Sequence, residues 1–414
     1  GTPRTVSALN VWMGGVHVAT LTESRGKMSL AYVAGVAPLG SPLISVAMPM
    51  SRTSYTDRVV RPFFHGLLPE GPARQTIAYD LGLAGQDDMG LLAALGKDCA
   101  GALIVMPTGE IPRTWAETPE LLDDGTVEAR VRDLPMYPLG VTGKVRASLP
   151  GVQPKLLLCL RDGQWFAPDE AHPTTHILKP ASAELQGSVA NELFCLNLAA
   201  RAGLATAVTS VAWFGETVVL VSQRYDRRPG RDGSSLRLHQ EDACQALSVM
   251  TSLPRHKYEG HGGPKLRKIA ETLTAWGGSA LELLRYVTFS VIVGNADLHG
   301  KNVSFLHQGN GTVRLAPMYD VMCTTHYDGS NGGRAVDTEL AMFIAGRTNI
   351  LDVTAQDLIG EARSWGIRTR VAGTAITDLA RAVLAELDPT SNTLDIDVPS
   401  GIVDRIRHRA SAMV

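Results

Sequence analysis

Asp297 and Asn302 stand five residues apart in Gly294-Asn295-Ala296-Asp297-Leu298-His299-Gly300-Lys301-Asn302, and Asp320 follows in Pro317-Met318-Tyr319-Asp320. An acid, an amide five residues on and a second acid beyond a short hairpin are the spacing of a kinase catalytic loop and its metal-binding aspartate. In that chemistry Asp297 accepts a hydrogen bond from the attacking hydroxyl and takes its proton, while Asn302 and Asp320 offer hard oxygens to Mg2+. Phosphoryl transfer asks for positioning and charge neutralisation more than for covalent help. Upstream, Lys179 closes Thr175-His176-Ile177-Leu178-Lys179, and Glu192 lies near the start of the next helical stretch. A strand lysine paired with a helix glutamate is how kinases hold a lysine on the ATP phosphates. Spacing alone leaves both sets open to a plainer reading, as an Asn/Asp-rich surface hairpin and two solvated charges. Their order along the chain favours the chemical one.

A third segment, Arg146-Ala147-Ser148-Leu149-Pro150-Gly151-Val152-Gln153-Pro154-Lys155, sits where a phosphate-covering loop would be. It has one glycine and fits neither a Walker loop nor G-x-G-x-x-G, so by its residues it is a turn. Gly260-His261-Gly262-Gly263-Pro264-Lys265 reads as a plain loop, because Pro264 removes an amide and no Ser or Thr follows Lys265. His172 and His176 would suit zinc on a helix, but Pro173 and a strand-like context point to ordinary histidines. Arg224-Tyr225-Asp226-Arg227-Arg228 reads as a salt-bridged turn rather than a nucleic-acid patch.

The elements that must position these residues follow from periodicity. Alternation around Val11, Met13, Val16 and Val18, and again from Ile44 to Met50, predicts a small antiparallel sheet. Helical spacing runs from Val59 to Leu95, punctuated by Pro69-Glu70-Gly71-Pro72. The Pro-rich stretch 107–139 predicts a linker between a first module, 1–106, and a nucleotide-binding part, 140–240. Strands are expected at Lys155 to Leu160, His176 to Leu178, Val208 to Phe214 and Val218 to Gln223, with a helix from Asn191 to Ala202 capped by Ser188 and ended by Gly203. Beyond Glu241, residues 241–414 read as mainly helical: Leu266 to Trp276, Leu281 to Gly294, Val353 to Trp365 and Ala375 to Leu387. Val303 to Leu306 and Val313 to Leu315 should pair around Gly309-Asn310-Gly311 and carry Asn302 toward Asp320.

Composition narrows the classes. A chain of 414 residues, 44% hydrophobic and 19% charged, can bury a large core and is not of disordered type. Thirty-nine basic against 41 acidic residues leave a formal charge of −2, so no global field draws the chain onto nucleic acid or anionic lipid. The five cysteines are far apart and never spaced C-x-x-C, which indicates neither a disulfide framework nor a thiolate zinc site. No apolar run approaches the ~18 residues of a spanning helix, and Gly1-Thr2-Pro3-Arg4 lacks a signal peptide's apolar core. A cytoplasmic protein without a membrane partner is the expectation.

At Ser148 to Lys155, Thr174 to Lys179, Asn191-Glu192, Gln223 to Arg227, Gln240-Glu241-Asp242, Asn295 to Asn302 and Tyr319-Asp320 the sequence resembles the HipA family of bacterial toxin kinases. Phe63-Phe64-His65-Gly66-Leu67-Leu68-Pro69-Glu70 and Gly96 to Ala102 resemble that family's N-terminal module. The resemblance implies an α+β, two-lobed protein-kinase-like fold that uses ATP and Mg2+ and arrests growth by phosphorylating an aminoacyl-tRNA synthetase. It implies that Pro150, Gly151, Val152, Gln153, Pro154 and Lys155 cover the phosphates and that Lys179 contacts them, positioned by Glu192. Gln223, Arg224 and Tyr225 would form the adenine hinge. His299, Gly300, Lys301, Asn302, Tyr319 and Asp320 would line the site, with Asn302 and Asp320 on the metal. Ser148 would be autophosphorylated, its phosphate pairing with Lys144 or Arg146. Tyr319-Asp320-Val321-Met322 departs from D-F-G, so an activation-loop switch is not implied. A HipB-type helix-turn-helix antitoxin would carry most of the contact with operator DNA. Two other functions stay open: a small-molecule or lipid kinase of the same fold, and a catalytically silent corepressor.

Overall fold

A computed structural model describes residues 6–113, 119–140, 147–230, 235–329 and 336–414. The chain opens with β1 (Ala8–Met13), β2 (Val16–Ser24), β3 (Lys27–Tyr32) and β4 (Ser54–Thr56), then α1 (Asp57–His65), α2 (Gly71–Asp80), α3 (Asp88–Leu95) and β5 (Leu103–Pro107). These strands form one antiparallel sheet in the order β4-β3-β2-β1-β5. Leu9, Val11, Leu21, Met28 and Leu30 bury their side chains against Phe63, Phe64 and Leu92. The alternation from Ile44 to Met50 is not a strand. Ser45 and Val46 spend their donors on one buried carboxylate: the Ser45 hydroxyl donates to Glu241 Oε2 at 2.5 Å and the Val46 amide to Oε1 at 2.8 Å. A satisfied irregular backbone can be buried where an unsatisfied one cannot.

A second group comprises β6 (Leu121–Leu122), α4 (Asp124–Arg132), β7 (Leu156–Arg161), β8 (Gln164–Phe166), β9 (His176–Pro180), α5 (Ser188–Arg201), β10 (Thr209–Phe214) and β11 (Thr217–Gln223). The six strands make an antiparallel sheet ordered β10-β11-β9-β7-β8-β6. The stretch expected as linker therefore contains β6 and α4. Leu122, Val127, Val131 and Leu134 pack on Leu156, Leu158, Leu178 and Val221, so apolar burial overrides the Pro-rich composition. α5 faces both ways: Val189 and Leu193 touch Leu220 of the sheet, while Phe194, Leu196 and Leu198 join the helical core. Gly187, with φ of +71°, takes the N-cap place expected for Ser188.

The remainder carries β12 (Arg227–Pro229), β13 (Ser235–Arg237), β14 (Gln240–Asp242), α6 (Ala243–Ala246), α7 (Leu266–Ala275), α8 (Ala280–Val293), β15 (Ser304–His307), β16 (Val313–Leu315), β17 (Glu339–Ile344) and β18 (Arg347–Asn349). It closes with α9 (Ala355–Ser364), α10 (Thr369–Thr393) and α11 (Ile402–Ser411). α8 is apolar on nearly every face, as a helix packed on all sides must be. Phe289 on it and Phe194, Phe305, Val383 and Ile406 around it fill the core; each fully buried side chain of this size contributes ~1.5–3 kcal/mol. No helix among the described residues is long and apolar enough to cross a membrane.

Candidate active site

Gly294 ends α8 in the left-handed region, φ +74°, and a Cβ there would come 2.3 Å from Thr325 Oγ1. Only glycine fits. The chain then turns through Asn295, whose Oδ1 accepts the Asp297 amide at 3.2 Å, and Ala296, whose amide donates to Thr324 Oγ1 at 2.9 Å. Ala341 of β17 donates to the Ala296 carbonyl at 2.9 Å. With these anchors Asp297 projects, exposed, from a fixed backbone. Tyr258 donates its hydroxyl to Asp297 Oδ1 at 2.9 Å and sets its ring edge-on to His299, centroids 5.3 Å apart. The surrounding protein raises the Asp297 carboxyl above its ordinary value and Asp320 adds to this, against the Tyr258 hydrogen bond and the Lys257 charge. His299 is buried with an unpartnered Nδ1, and desolvation holds it neutral.

The hairpin β15–β16 returns the chain to Asp320. Met318 is fastened to the segment after α5, its amide donating to the Ala205 carbonyl at 2.9 Å and its own carbonyl accepting the Ala207 amide at 2.8 Å. Just beyond Asp320, Asn191 of α5 grips Cys323 twice, accepting its amide at 2.8 Å and donating to its carbonyl at 3.1 Å. Asp320 itself has φ of +53°, a left-handed conformation that aspartate tolerates better than most residues. Its Oδ1 pairs directly with Lys179, which also donates to Glu192 Oε1 at 2.8 Å. Burial alone would lower Lys179 and raise Asp320. Their pairing reverses both shifts, lifting Lys179 and bringing Asp320 down to about 2.

Ser148 to Lys155 runs over this cluster. Lys155 is buried and donates to the Pro150 carbonyl at 2.8 Å, closing the loop on itself. Gly151 adopts φ of +120°, a conformation that favours glycine, and a Cβ there would lie 2.4 Å from Lys155 Nζ and displace it. Val152 is exposed and Gln153 half-buried between Gly151 and Pro154. Burial pulls Lys155 down to about 8, with Asp320 the strongest opposing influence. Ser148 is fully buried, its hydroxyl donating to the Leu67 carbonyl at 2.6 Å. Lys144 and Arg146 lie outside the described residues.

Some residues expected at the nucleotide are occupied elsewhere. Arg224 turns its guanidinium into a buried network with Asp226 at 2.8 Å and the Thr174 hydroxyl at 2.5 Å, and its amide goes to the Thr175 carbonyl. Its carbonyl accepts the Arg227 amide at 3.2 Å. Gln223 ends β11 with its side chain exposed. Tyr225 stacks on Tyr319 at 5.9 Å, and Tyr319 donates to the Lys301 carbonyl at 2.7 Å. Lys301 points away from the loop, to Asp242 at 3.1 Å and the Gly66 carbonyl at 3.3 Å. Gly300 packs on Pro264 and Cys244. His172 pairs with Asp169 at 2.8 Å, and no group of three His, Cys, Asp or Glu among the described residues could hold a metal.

A hard cation would find one carboxylate, Asp320, and one amide oxygen, that of Asn302, whose Nδ2 is spent on the Asp297 carbonyl at 3.1 Å. That donor set suits Mg2+ shared with phosphates. Three residues that adjoin these side chains were not legible from spacing: Tyr258, against Asp297, and Lys257 and Glu70, paired with each other. Lys257 and Tyr258 lie in an irregular loop with no periodic signal, and Glu70 lies in another module.

Comparison with known proteins identifies the family and the fold. The model of the HipA-like C-terminal domain matches residues 147–387 and that of the HipA N-terminal domain residues 9–106. The Y4mE protein of Sinorhizobium fredii is 35% identical, covering 99% of this chain and 97% of its own. The serine/threonine-protein kinase toxin HipA of Shewanella oneidensis is 28% identical over 83% of this chain and 79% of that protein. The solved Shewanella oneidensis complex of HipA, HipB and operator DNA superposes with a TM-score of 0.82 at 24% identity, covering 98% of this chain and 95% of that one. The fold is the two-lobed, protein-kinase-like α+β fold of that toxin, and the chain belongs to the HipA family.

Proposed function

We propose that the chain is an ATP- and Mg2+-dependent serine/threonine protein kinase of toxin type. The observation that carries this reading is the meeting of Lys179, Glu192 and Asp320 beside the anchored loop of Asp297 and Asn302. A silent corepressor has no need of all five. In the reaction the acceptor hydroxyl oxygen bonds to the γ-phosphorus as the bond to the β,γ-bridging oxygen breaks, and Asp297 takes the hydroxyl proton. Lys179 neutralises phosphate charge, and Glu192 keeps it ionised and aimed. Mg2+, when held by Asn302 and Asp320, supplies charge neutralisation and alignment of the phosphates.

The acceptor we propose is a protein hydroxyl, and the family likeness implies an aminoacyl-tRNA synthetase. The likeness also implies a HipB-type antitoxin that supplies most of the affinity for operator DNA, in a cytoplasmic setting. Ser148 is the proposed autophosphorylation site. Its burial against Leu67 means that the loop must open for the hydroxyl to react, and a phosphate there could not return beside a carbonyl oxygen. Incubation with γ-labelled ATP, Mg2+ and a cell extract, followed by mass spectrometry, tests the reading. Label on a serine or threonine of one extract protein, and on Ser148, is expected. Label recovered only in a small molecule or lipid would contradict the protein acceptor, and no label at all would contradict the kinase.

A further inference from the structure

We infer that Lys257 is a catalytic cation of the transfer step and that Glu70, from the N-terminal module, is its positioning residue; this rests on the kinase reading above. Most cationic groups around the cleft are already committed. Lys179 is shared by Glu192 and Asp320, Lys301 is bound to Asp242 and the Gly66 carbonyl, and Lys155 closes its own loop on Pro150. His299 is buried and neutral, and Lys301, the catalytic loop's one cation, is among those already committed.

Lys257 differs. It is 7% exposed, and among the described residues its ion pair is with Glu70 Oε2 at 3.6 Å. Its ammonium lies over the ring of Tyr258, 5.8 Å from the centroid, and Tyr258 is fixed against both Asp297 and His299, which sets Lys257 beside the base. Glu70 is 6% exposed, and neither carboxylate oxygen has a hydrogen-bond partner among the described residues. Its charge is met by Lys257 and by Lys301, each at 3.6 Å. A carboxylate so buried stays ionised only because cations face it. It therefore holds Lys257 charged and in place.

The same corner touches the phosphate-covering loop. Gly71 adopts φ of +54°, and a Cβ there would lie 3.8 Å from Val152 Cγ1 and 4.0 Å from Pro254. Glu70 thus stands where the N-terminal module, the loop and the segment leading to Lys257 converge. In phosphoryl transfer the negative charge spreads over three equatorial oxygens, and a preplaced cation in a desolvated site stabilises that state above the ground state. The N-terminal module, on this geometry, completes the active site.

The test uses full-length protein with Lys257→Met, Lys257→Arg, Glu70→Gln and the Lys257→Met/Glu70→Gln pair. Measurements are kcat, the Kd for ATP, the Kd for ADP with Mg2+ and aluminium fluoride as a mimic of the transferring group, and the melting temperature. Lys257→Met should lower kcat by about 10²–10³-fold and weaken the mimic comparably, with the Kd for ATP within about threefold. Lys257→Arg should restore part of kcat, and it serves as the readout if the methionine variant folds poorly. Glu70→Gln should lower kcat less, and the pair should be no worse than Lys257→Met alone, since Glu70 acts through Lys257. Wild-type kcat in folded Lys257→Met, or an equal loss of ATP and mimic binding, would overturn the catalytic role. Additive losses in the pair would overturn the positioning role. A wild-type chain that transfers no phosphate would overturn the kinase reading, and this inference with it.

Discussion

Asp297 and Lys155 titrate in opposite senses and together bound the working pH of the cleft. Asp297 must be ionised to take a proton, and desolvation raises its carboxyl above the ordinary 3.8. Activity is therefore lost as pH falls through that raised value. Burial brings Lys155 down to about 8, so its positive charge is present below that pH and lost above it. A bell-shaped kcat/KM is expected, with its alkaline limb near 8 and its acid limb above the ordinary aspartate value. Lys155→Arg should move only the alkaline limb upward; the absence of an alkaline limb up to about pH 9 would contradict the Lys155 assignment, and an acid limb at or below the ordinary aspartate value would contradict that of Asp297. Lys179→Ala carries two consequences, because Lys179 is paired with Glu192 and, on the proposed reading, contacts the ATP phosphates. ATP affinity should fall by ~1.5–3 kcal/mol for a charged contact. The fold should also weaken by about 3–5 kcal/mol, since Glu192 would be left buried and unpaired. Titration with a fluorescent ATP analogue and urea denaturation read the two effects separately. At this scale the sequence was legible where residue type and order bring groups together, as with Lys179, Glu192 and Asp320, which meet in one cluster. The direction of Lys301 was not, because a cation near a motif is drawn to whichever buried carboxylate the fold supplies, here Asp242.

Among the elements, the turn after β11 and the loop after α3 form a charged lock. Asp98 accepts Arg227 at 2.8 Å and the Thr174 amide at 2.8 Å, with Arg237 at 3.6 Å and Arg224 at 3.7 Å. Asp226 closes the far side by accepting the Gly101 amide at 2.7 Å. The reading of this turn as salt-bridged, made from one acid among three arginines, describes its role. Burial would raise Asp98, but the arginines hold its carboxyl far below the usual range. A depressed carboxyl contributes stability that is present above its unfolded value, about 3.9, and is lost as pH falls toward the folded one. Asp98→Asn should cost about 3–5 kcal/mol at neutral pH by leaving arginines unpaired, and the gap from wild type should narrow in acid. A denaturation series from pH 7 to pH 3 tests both signs. The strands β7, β9, β10 and β11 and the helices α5, α7, α8 and α9 were legible because their periodicity is strong. β14, the short β8, and α11 were not, for a strand of three residues has too few alternations to stand out, and the helix follows a stretch with no periodic lead.

For the whole molecule, the N-terminal module is built into the kinase body. Glu241 binds Ser45 and Val46 across the boundary and also accepts from His307 at 2.9 Å. Ser148 is held by Leu67, and Glu70 by lysines of the C-terminal part. One cooperative unfolding transition is expected for these parts together. Glu241→Ala, which strips partners from two buried donors, should lower the melting temperature or split that transition, as differential scanning calorimetry would show; an unchanged single peak would contradict the coupling. This integration was hidden in the sequence because each contact joins residues far apart in the chain, and neither partner is unusual in its own segment. The most direct measurement of the central claim is single-turnover transfer of the γ-phosphoryl group by Asp297→Asn, with ATP affinity and melting temperature measured on the same protein. Transfer should fall by about 10²–10⁴-fold, the share that a positioned base contributes, while ATP affinity and stability stay near wild type; transfer at the wild-type rate in the folded variant would contradict the assignment of this loop as the catalytic centre.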